Sequence, residues 1–292
     1  MRRVSVSLPG GSSALVAEVR PDDHLKWWTR AREMVDQTER WPVVSWQPGH
    51  WEEVVAGEPF DRMQFVYSDR GSEIVGDTSL AGLLTRAEAL DLEAVLEGEA
   101  AEEWKRKFLD SDVGEAMKDV VKRWGTAPPE SEVRRAATEL ADPVLGIERF
   151  LLEWELAQGA PPPDALRIMG YARQGDPMPP PDEPAFLMLL PTARPWEVYA
   201  HVQGLWNEPS DRLIRAAHGW NDRFGAECIG IQPGYSTQMR VRRRPVKIWE
   251  AWELAREHYL LARDTVVLPG FHLRDYARAL MEAQYWELKS KP

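Results

Sequence analysis

Apolar residues near the N-terminus alternate with polar ones, at the period of a β-strand. They recur at every second position from Val4 to Leu8 and again from Leu15 to Val19, with PGGSS between the two runs. Proline and glycine between alternating runs are typical of a turn. The pattern therefore predicts a β-hairpin.

A helix and a buried strand are predicted to follow this hairpin. Asp22 and Asp23 are typical N-cap residues, and the apolar positions after them keep to one helical face. The apolar segment WPVVSW, which begins at Trp41, predicts a short buried strand. The predicted order so far is β-β-α-β, and MQFVY at residues 63–67 is a candidate for one more strand.

From Asp77 to Gly159 the apolar residues recur at helical spacing, which predicts three to four helices. Asp142 followed by Pro143 predicts a capped helix start, because proline is favoured at the first helical position. We expect this block to form an inserted all-helical subdomain. Proline clusters within residues 161–184 then predict an extended, semi-rigid linker.

The last 108 residues have the most regular pattern, which predicts the order β-α-α-β-β-α-α-β. Pro195 is expected in the first turn of a helix, and Gly225 at the end of the next one. Pro233 and Gly234 suit a type II turn between the strands AECIGI and QMRVR. Pro245 is expected to open a long helix.

Together these elements predict an α+β protein with mixed or antiparallel sheets, flanking helices and an inserted all-helical subdomain. The sequence divides into an N-terminal α/β segment, a helical insert, a Pro-rich linker and a C-terminal α+β domain, at residues 1–56, 57–160, 161–184 and 185–292. No period of 20 to 50 residues is visible, which excludes a solenoid or a propeller.

Composition narrows the classes of partner. The chain has 292 residues and a formal net charge of −11, which disfavours binding to nucleic acid or to an anionic membrane. The longest apolar run, Ala185 to Leu190, is far shorter than the roughly 20 residues of a membrane span. The N-terminus lacks the apolar core of a signal peptide, so we expect a cytoplasmic protein.

The C-terminal region resembles a known family of bacterial proteins. The segments AFLMLLPTARPWEV, LWNEPSDRLIRAAHGWNDRFGAE and MRVRRRPVKIWEAWELAREHYLLARD are similar to domain of unknown function 4253, over residues 185–292. A weaker likeness covers residues 8–46, through LPGG and the pair Trp41 and Pro42. The resemblance implies kinship of fold and no particular activity.

The chain departs from the family pattern at three places. Where the family often has Trp-Asn-x-Cys-Pro, Glu208 and Pro209 follow Trp-Asn here without the cysteine. Where the family often has Trp-His, Trp220 is followed by Asn221. Where the family tends to have Cys-Pro-Asp, only the acid, Asp264, remains. Chemistry that depends on those cysteines or on that histidine is therefore not expected.

Fourteen tryptophans are more than a core of this size needs, so some are expected to line a binding surface. Those at helical spacing, such as Trp154, Trp249 and Trp252, are expected in the core. Other aromatic and polar residues of the C-terminal region form a candidate binding pocket: Trp206, Asn207, Trp220, Arg223, Glu257, Tyr259 and Asp264.

A run of basic residues gives the C-terminal region an excess of positive charge, with 15 Lys and Arg against 12 Asp and Glu in residues 185–292. This basic stripe consists of Arg240, Arg242, Arg243, Arg244 and Lys247. It suits a phosphate or an acidic partner. We favour the alternative that it is a solvated sheet face paired with acids of the N-terminal half.

Other candidate chemistry is weak. Glu250, Glu253 and Glu257 share one side of a helix, but no histidine joins them at ligand spacing, so we expect a solvent-facing acidic row and no metal site. Cys228, the one cysteine, excludes an intramolecular disulfide and is expected to be an inert buried thiol. No nucleotide-binding or nucleophile motif is present, and no cofactor is expected.

The leading hypothesis is a non-enzymatic protein-interaction module of the immunity or antitoxin kind, which binds another protein. One alternative is a hydrolase or transferase that uses Glu257 or Asp264 as acid/base and Arg223 to hold an anion. A second alternative is nucleic-acid binding through the basic stripe.

Overall fold

The computed structural model describes residues 3–8, 12–46, 80–103, 109–159, 185–202, 204–205, 210–267 and 272–290. They belong to two compact units, each assembled from separated stretches of chain. The sheet unit comprises Met1–Leu90, Gly175–Arg243 and Gln284–Pro292. The helical unit comprises Asp91–Gln174 and Arg244–Ala283.

Seven strands form one mixed sheet in the sheet unit. They are β1 (Arg3–Ser7), β2 (Ser13–Val19), β3 (Trp41–Trp46), β4 (Ala185–Leu190), β5 (Glu227–Gln232), β6 (Ser236–Arg240) and β7 (Tyr285–Lys289). Their order is β1-β2-β4-β3-β5-β6-β7. Neighbouring strands are antiparallel except β3 and β5, which are parallel.

The helices are α1 (His24–Glu33), α2 (Val35–Thr38), α3 (Leu80–Ala89), α4 (Leu92–Glu103), α5 (Leu109–Trp124), α6 (Glu130–Ala136), α7 (Pro143–Gln158), α8 (Ser210–Phe224), α9 (Ile248–Leu261), α10 (Asp264–Val267) and α11 (Leu273–Leu280). Short 3-10 helices cover Pro21–Asp23 and Glu197–Ala200. Of these elements, α1 to α3, α8 and both 3-10 helices lie in the sheet unit, and the remaining helices form the helical unit.

The predicted N-terminal order β-β-α-β is confirmed, but Asp23 precedes α1 without a side-chain capping hydrogen bond, and Asp22 lies in the 3-10 helix before it. The predicted hairpin is the antiparallel pair β1 and β2. All six residues of β3 are buried, because this strand lies between β4 and β5 inside the sheet. The candidate strand at residues 63–67 lies outside the described residues.

The C-terminal turns also form as predicted. Gly225 ends α8 with a φ of 63°, and its amide donates to the carbonyl of Asn221. Gly234 has a φ of 75° in the turn between β5 and β6, a value that glycine adopts without strain. One prediction is wrong: Pro195 precedes only a short 3-10 helix at Glu197–Ala200 and no α-helix.

Five α-helices, and not three or four, lie within residues 80–159 of the described chain. The extra division comes at residues 125–129, where Gly125 has a φ of 72° and two prolines separate α5 from the short α6. The predicted start of α7 is confirmed, since Asp142 accepts a hydrogen bond from the amide of Val144 at 2.8 Å and Pro143 is the first helical residue.

The core of the helical unit is apolar and tightly packed. It comprises Val113, Ala116, Val120, Val133, Ala137, Ile147 and Leu151. The rings of Trp124 and Trp154 meet edge to face beside it, with centroids 6.1 Å apart. A Cβ on Gly146 would lie 2.1 Å from the carbonyl oxygen of Ala136, so glycine allows α7 to approach the end of α6.

The predicted fold class is therefore confirmed: an α+β chain with a mixed sheet, flanking helices and an all-helical unit. The helical unit also contains α9, α10 and α11, which belong to the stretch that the sequence assigned to the C-terminal domain, residues 185–292. The division into four consecutive segments stays a prediction, while the sheet draws its strands from both ends of the chain.

Candidate functional site

The residues of the predicted pocket lie in both units. Trp220 and Arg223 are on α8 in the sheet unit. Glu257 and Tyr259 are on α9, and Asp264 begins α10, in the helical unit. Trp206 and Asn207 lie outside the described residues. That the seven residues form one pocket stays a prediction, as does the acid/base chemistry that it was expected to support.

Two of these residues have clear structural surroundings within the sheet unit. Trp220 is 0% exposed, like a core residue. Arg223 is exposed, and its guanidinium lies 5.2 Å from the centroid of the Phe224 ring. Its Nε donates to the carbonyl of Gly219 at 3.3 Å, which places the positive charge in the last turn of α8, where the helix dipole favours it.

Tyr259 belongs to a buried polar contact within the helical unit. Its hydroxyl donates to the carboxylate of Asp142 at 3.3 Å, and Arg263 donates to the same carboxylate at 3.1 Å and to the Tyr259 oxygen. Burial, together with the charge of Asp142, raises the pKa of Tyr259 well above its ordinary value. Because Asp142 also caps α7, these contacts fix α9 against the start of that helix.

The basic stripe divides into two parts. Arg240 donates to Glu227 at 3.1 Å, and Arg242 donates to the other oxygen of the same carboxylate. We expected the stripe to pair with acids of the N-terminal half, and for these two arginines that prediction is wrong. Their acidic partner is Glu227, which lies on the adjacent strand β5. In the antiparallel register of β5 and β6, Glu227 lies directly opposite Arg240.

Glu227 is 2% exposed and accepts from a third arginine. Arg32 of α1 donates to it through Nε at 3.1 Å and Nη2 at 2.8 Å, and its guanidinium lies 4.6 Å from the centroid of the Trp41 ring. Three guanidiniums thus surround one buried carboxylate. This cluster satisfies the carboxylate but leaves a local excess of positive charge.

The other three residues of the stripe are exposed. Arg243 is the last residue of its stretch of the sheet unit, and Arg244 and Lys247 belong to the helical unit. Arg243 donates to the carbonyl of Asp222 at 2.6 Å in the sheet unit, and Arg244 to the carbonyl of Glu282 at 2.9 Å in the helical unit. Lys247 precedes α9 as its N-cap residue. All four arginines of the stripe therefore bond to protein oxygens, and nucleic-acid binding through it stays a prediction.

An apolar and basic surface lies where α9 begins. It consists of Arg244, Val246, Lys247 and Trp249, and we refer to it as the α9 N-terminal surface. Val246 is 79% exposed and Trp249 is 39% exposed. Among the tryptophans whose side chains the structure describes, Trp249 is the most exposed.

Trp249 was expected in the core, and that prediction is wrong, whereas the same prediction is confirmed for Trp252, which is 1% exposed. Both residues occur at helical spacing, but α9 buries the face that carries Trp252, Ala255 and Tyr259. Trp249 lies in the first turn, next to a loop in which Val246 is already exposed. The sequence did contain a signal for this exposure, because Trp249 comes shortly after Pro245, near the start of the predicted helix.

The acidic row on α9 is engaged with its own helix and its neighbours. Glu250 is exposed and accepts from the amide of Val246 at 3.0 Å, which joins the loop before α9 to the first turn of the helix. Glu253 is exposed and lies 3.6 Å from Arg256. Glu257 is half-buried. Within the described ranges, no group of three His, Cys, Asp or Glu side chains is arranged to hold a metal ion.

Cys228 lies inside the sheet unit as predicted. The thiol is 2% exposed, and burial raises its pKa to about 12. A thiol that is buried and protonated at neutral pH is a poor nucleophile. The predicted burial of this thiol is confirmed.

Sequence analysis did not anticipate a buried ion network in the helical unit. Arg274 is 0% exposed and bonds to Glu155 at 2.8 Å, to Asp119 at 2.6 Å and to Glu148. Four bases and four acids share this network: Arg123, His272, Arg274 and Arg278, with Asp119, Glu148, Glu155 and Asp275.

The histidine of this network is held between two carboxylates. His272 Nε2 lies 3.2 Å from Asp119 and Nδ1 lies 3.4 Å from Glu148. Burial opposes protonation of His272, but these two hydrogen bonds outweigh it and raise its pKa to about 9. Burial likewise opposes ionisation of Asp119 and Glu148, yet His272 and Arg274 hold the pKa of each at about 2. The charged forms therefore stabilise one another.

The described residues thus define an α+β protein with a seven-stranded mixed sheet and an all-helical unit. Residues 186–289 match the family described as Domain of unknown function (DUF4253), which confirms the resemblance seen over residues 185–292. The match runs from β4 to β7. No curated protein and no solved structure matches the chain.

In the part of the chain that the structure describes, every helix is too short or too polar to cross a membrane. The cytoplasmic location stays a prediction.

Proposed function

We propose that this chain is a non-enzymatic protein-interaction module and that the α9 N-terminal surface contacts its partner. The observation that carries the proposal is the exposure of Trp249 beside Val246. Six other tryptophans of the described chain, Trp28, Trp41, Trp46, Trp220, Trp252 and Trp286, are at most 4% exposed. Trp27, Trp124, Trp154 and Trp196 are half-buried, so Trp249 is the most accessible of the tryptophans whose side chains the structure describes.

An accessible tryptophan is an effective anchor for a partner. Its large flat ring loses little conformational entropy on binding, and tryptophan and arginine are enriched among residues that dominate binding energy. Val246, at 79% exposed, extends the apolar contact next to the ring. Both side chains would be removed from water by a bound protein.

The charges beside the ring define the chemistry of the partner. Arg244 and Lys247 are exposed on either side of Val246 in the sequence, and Glu250 is turned back onto the Val246 amide. The surface therefore presents two cations on the loop side of an apolar centre, while Glu250 and Glu253 are exposed on the helix that follows. It fits a protein partner with an apolar pocket and an acidic rim, because complementary charges speed and orient association. An immunity or antitoxin role fits this proposal, since such proteins act by binding alone.

The test compares tagged wild-type protein with Trp249→Ala and Lys247→Glu variants in native lysate at low salt. We expect one stoichiometric protein partner, identified by mass spectrometry and then purified for titration. Trp249→Ala should weaken its binding by about 30-fold or more, the size of effect expected for an anchor residue. Lys247→Glu should slow association and reduce its dependence on salt.

Tyr235→Ala is the matched control, because Tyr235 is an aromatic residue with 44% exposure in the turn between β5 and β6. This variant should bind the partner like wild type. Equal binding by Trp249→Ala, or retention of no partner by wild type, would overturn the proposal. Self-association that disappears in Trp249→Ala would assign the surface to a second copy of the chain and would likewise contradict an acidic partner.

A further inference from the structure

A second candidate site lies in the sheet unit, independent of the proposed function. It is a cavity of about 510 Å³, wide open to solvent, between α1 and the strands β6 and β7. Its walls are formed by Leu25, Lys26, Trp28, Thr29, Arg30, Arg240 and Tyr285. Nothing in the function proposed for α9 uses these residues.

The charges of this cavity are of one sign. Lys26, Arg30 and Arg240 line it, and no aspartate or glutamate is among its lining residues. The ammonium of Lys26 is 3.9 Å from Asp23, at the outer limit of an ion pair, and the two side chains are 67% and 41% exposed. The guanidinium of Arg30 lies 5.7 Å from the centroid of the Trp27 ring. The cavity therefore concentrates positive charge.

Arg240 is fixed in position before any ligand arrives. Its guanidinium lies 4.7 Å from the centroid of the Trp28 ring, and Nη2 donates to the buried Glu227 at 3.1 Å. Trp28 is itself held, because its Nε1 donates to the carbonyl of Pro42 at 2.8 Å. A guanidinium has five N–H donors, and the hydrogen bond to Glu227 uses one of them. Such pre-organisation lowers the entropy lost on binding an anion.

The charge of Arg240 is not cancelled by its partner. Glu227, Arg240 and Tyr285 lie opposite one another across β5, β6 and β7, so they share one face of the sheet. Glu227 is shared among Arg240, Arg32 and Arg242. One carboxylate thus faces three guanidiniums, and a second anion near Arg240 would reduce their mutual repulsion.

The geometry points to a binding site for a small organic anion in this cavity. The cations select a phosphate or carboxylate group, and Leu25 and Tyr285 offer an apolar wall to a flat hydrocarbon body. Arg240 is the central contact, while Lys26 and Arg30 neutralise the outer charge of the ligand.

Calorimetric titration of the full chain tests this site with four probes: phenyl phosphate, 4-methylbenzoate, inorganic phosphate and benzyl alcohol. We expect at least one organic anion to bind about tenfold more tightly than inorganic phosphate or benzyl alcohol. Inorganic phosphate lacks the hydrocarbon body, and benzyl alcohol lacks the anionic group. The comparison of phenyl phosphate with 4-methylbenzoate shows which anionic group the site prefers.

Variants then locate the binding. Lys26→Gln and Arg30→Gln should each weaken the preferred organic anion by about three- to tenfold, as expected for partly exposed charged contacts. Arg240→Gln should weaken that binding further, because Arg240 is the central contact. Lys26 and Arg30 are on the surface of α1, so their variants keep the test valid even if Arg240→Gln fails to fold. Arg243→Gln, an exposed arginine outside the cavity, is the control and should bind like wild type. Binding that is unchanged in Lys26→Gln and Arg30→Gln, or no stronger for organic anions than for inorganic phosphate, would overturn the inference.

Discussion

Arg274 donates through Nε to the carboxylate of Glu155 at 2.8 Å, and the two side chains are 0% and 1% exposed. A charge enclosed in this way is tolerated only when every partner is present. Glu148 and Asp119 complete its coordination, so one guanidinium joins α5, α7 and α11. The helical unit therefore has two kinds of core: an apolar one and an ionic one.

Replacement of Arg274 by methionine should destabilise the protein by about 3–5 kcal/mol, because the buried Glu148 and Glu155 would lose the cation that they share and keep only His272 and Arg278 as partners. Urea unfolding of the full chain measures this change. Arg134→Ala is a suitable comparison, since its pair with Glu130 has the same 2.8 Å distance but side chains that are 42% and 58% exposed. That variant should change the free energy of unfolding by less than about 1 kcal/mol. Equal effects of the two variants would show that the ionic core contributes no more than a surface pair.

The stability of the protein should fall as the pH rises from neutral to alkaline values. The pKa of His272 is raised to about 9, above its ordinary value near 6.5, so the folded state binds this proton more tightly than the unfolded state. The resulting stabilisation is complete below about pH 6.5 and is lost as the pH rises through about 9. It amounts to at most about 3 kcal/mol, because a tenfold difference in proton affinity between the two states corresponds to about 1.4 kcal/mol.

Denaturant unfolding at a series of pH values between 6 and 10 checks this expectation. His272→Gln should flatten the pH dependence over this range, whatever its effect on stability at pH 6. An unchanged slope in this variant would mean that another group is responsible. At the acid end, the lowered pKa values of Asp119 and Glu148 predict a second loss of stability as the pH falls from about 4 to about 2.

Glu227→Gln should destabilise the sheet unit, because three arginines would lose the negative charge that they share. We expect a loss of about 2–4 kcal/mol, since the carboxylate is buried. Arg242→Gln should cost less than about 1 kcal/mol, because the side chain of Arg242 is 57% exposed and two other arginines keep Glu227 bonded. Thermal and urea unfolding of both variants measure the difference. A larger loss in Arg242→Gln than in Glu227→Gln would contradict this interpretation of the cluster.

Trp220→Ala should act on folding and not on recognition alone. The side chain is 0% exposed, so its removal leaves a cavity and costs about 3–5 kcal/mol. Circular dichroism and urea unfolding report the loss. Should the variant keep wild-type stability and yet lose a ligand, Trp220 would instead belong to a binding pocket, as the sequence suggested.

Local chemistry made several elements of the fold predictable. Asp142 and Pro143 specify a helix start through one capping bond and one fixed φ angle, and Pro233 and Gly234 specify a turn in the same way. Each of these signals depends on two adjacent residues. The structure confirms both.

The sites depended on contacts that lie far apart in the sequence. Arg32 and Glu227 are 195 residues apart, and neither has a neighbour that indicates the other. The ionic core left a fainter signal, because Glu148 and Glu155 are seven residues apart on the otherwise apolar face of α7. Acids at buried helical positions require cations, but only the fold shows that Arg274 supplies one.

The position of β4 between β2 and β3 imposes an order on biosynthesis. The strands β2 and β3 end by Trp46, but the strand that joins them begins at Ala185. At a synthesis rate of about 5–20 residues per second, the nascent chain waits roughly 7–30 s before that strand is made. Until then each of the two strands has an edge of unpaired backbone groups. All residues of β3 are apolar except Ser45, which makes its unpaired edge prone to aggregation. Both strands are therefore open to mispairing during translation, and a chaperone on the ribosome would protect them until β4 is made.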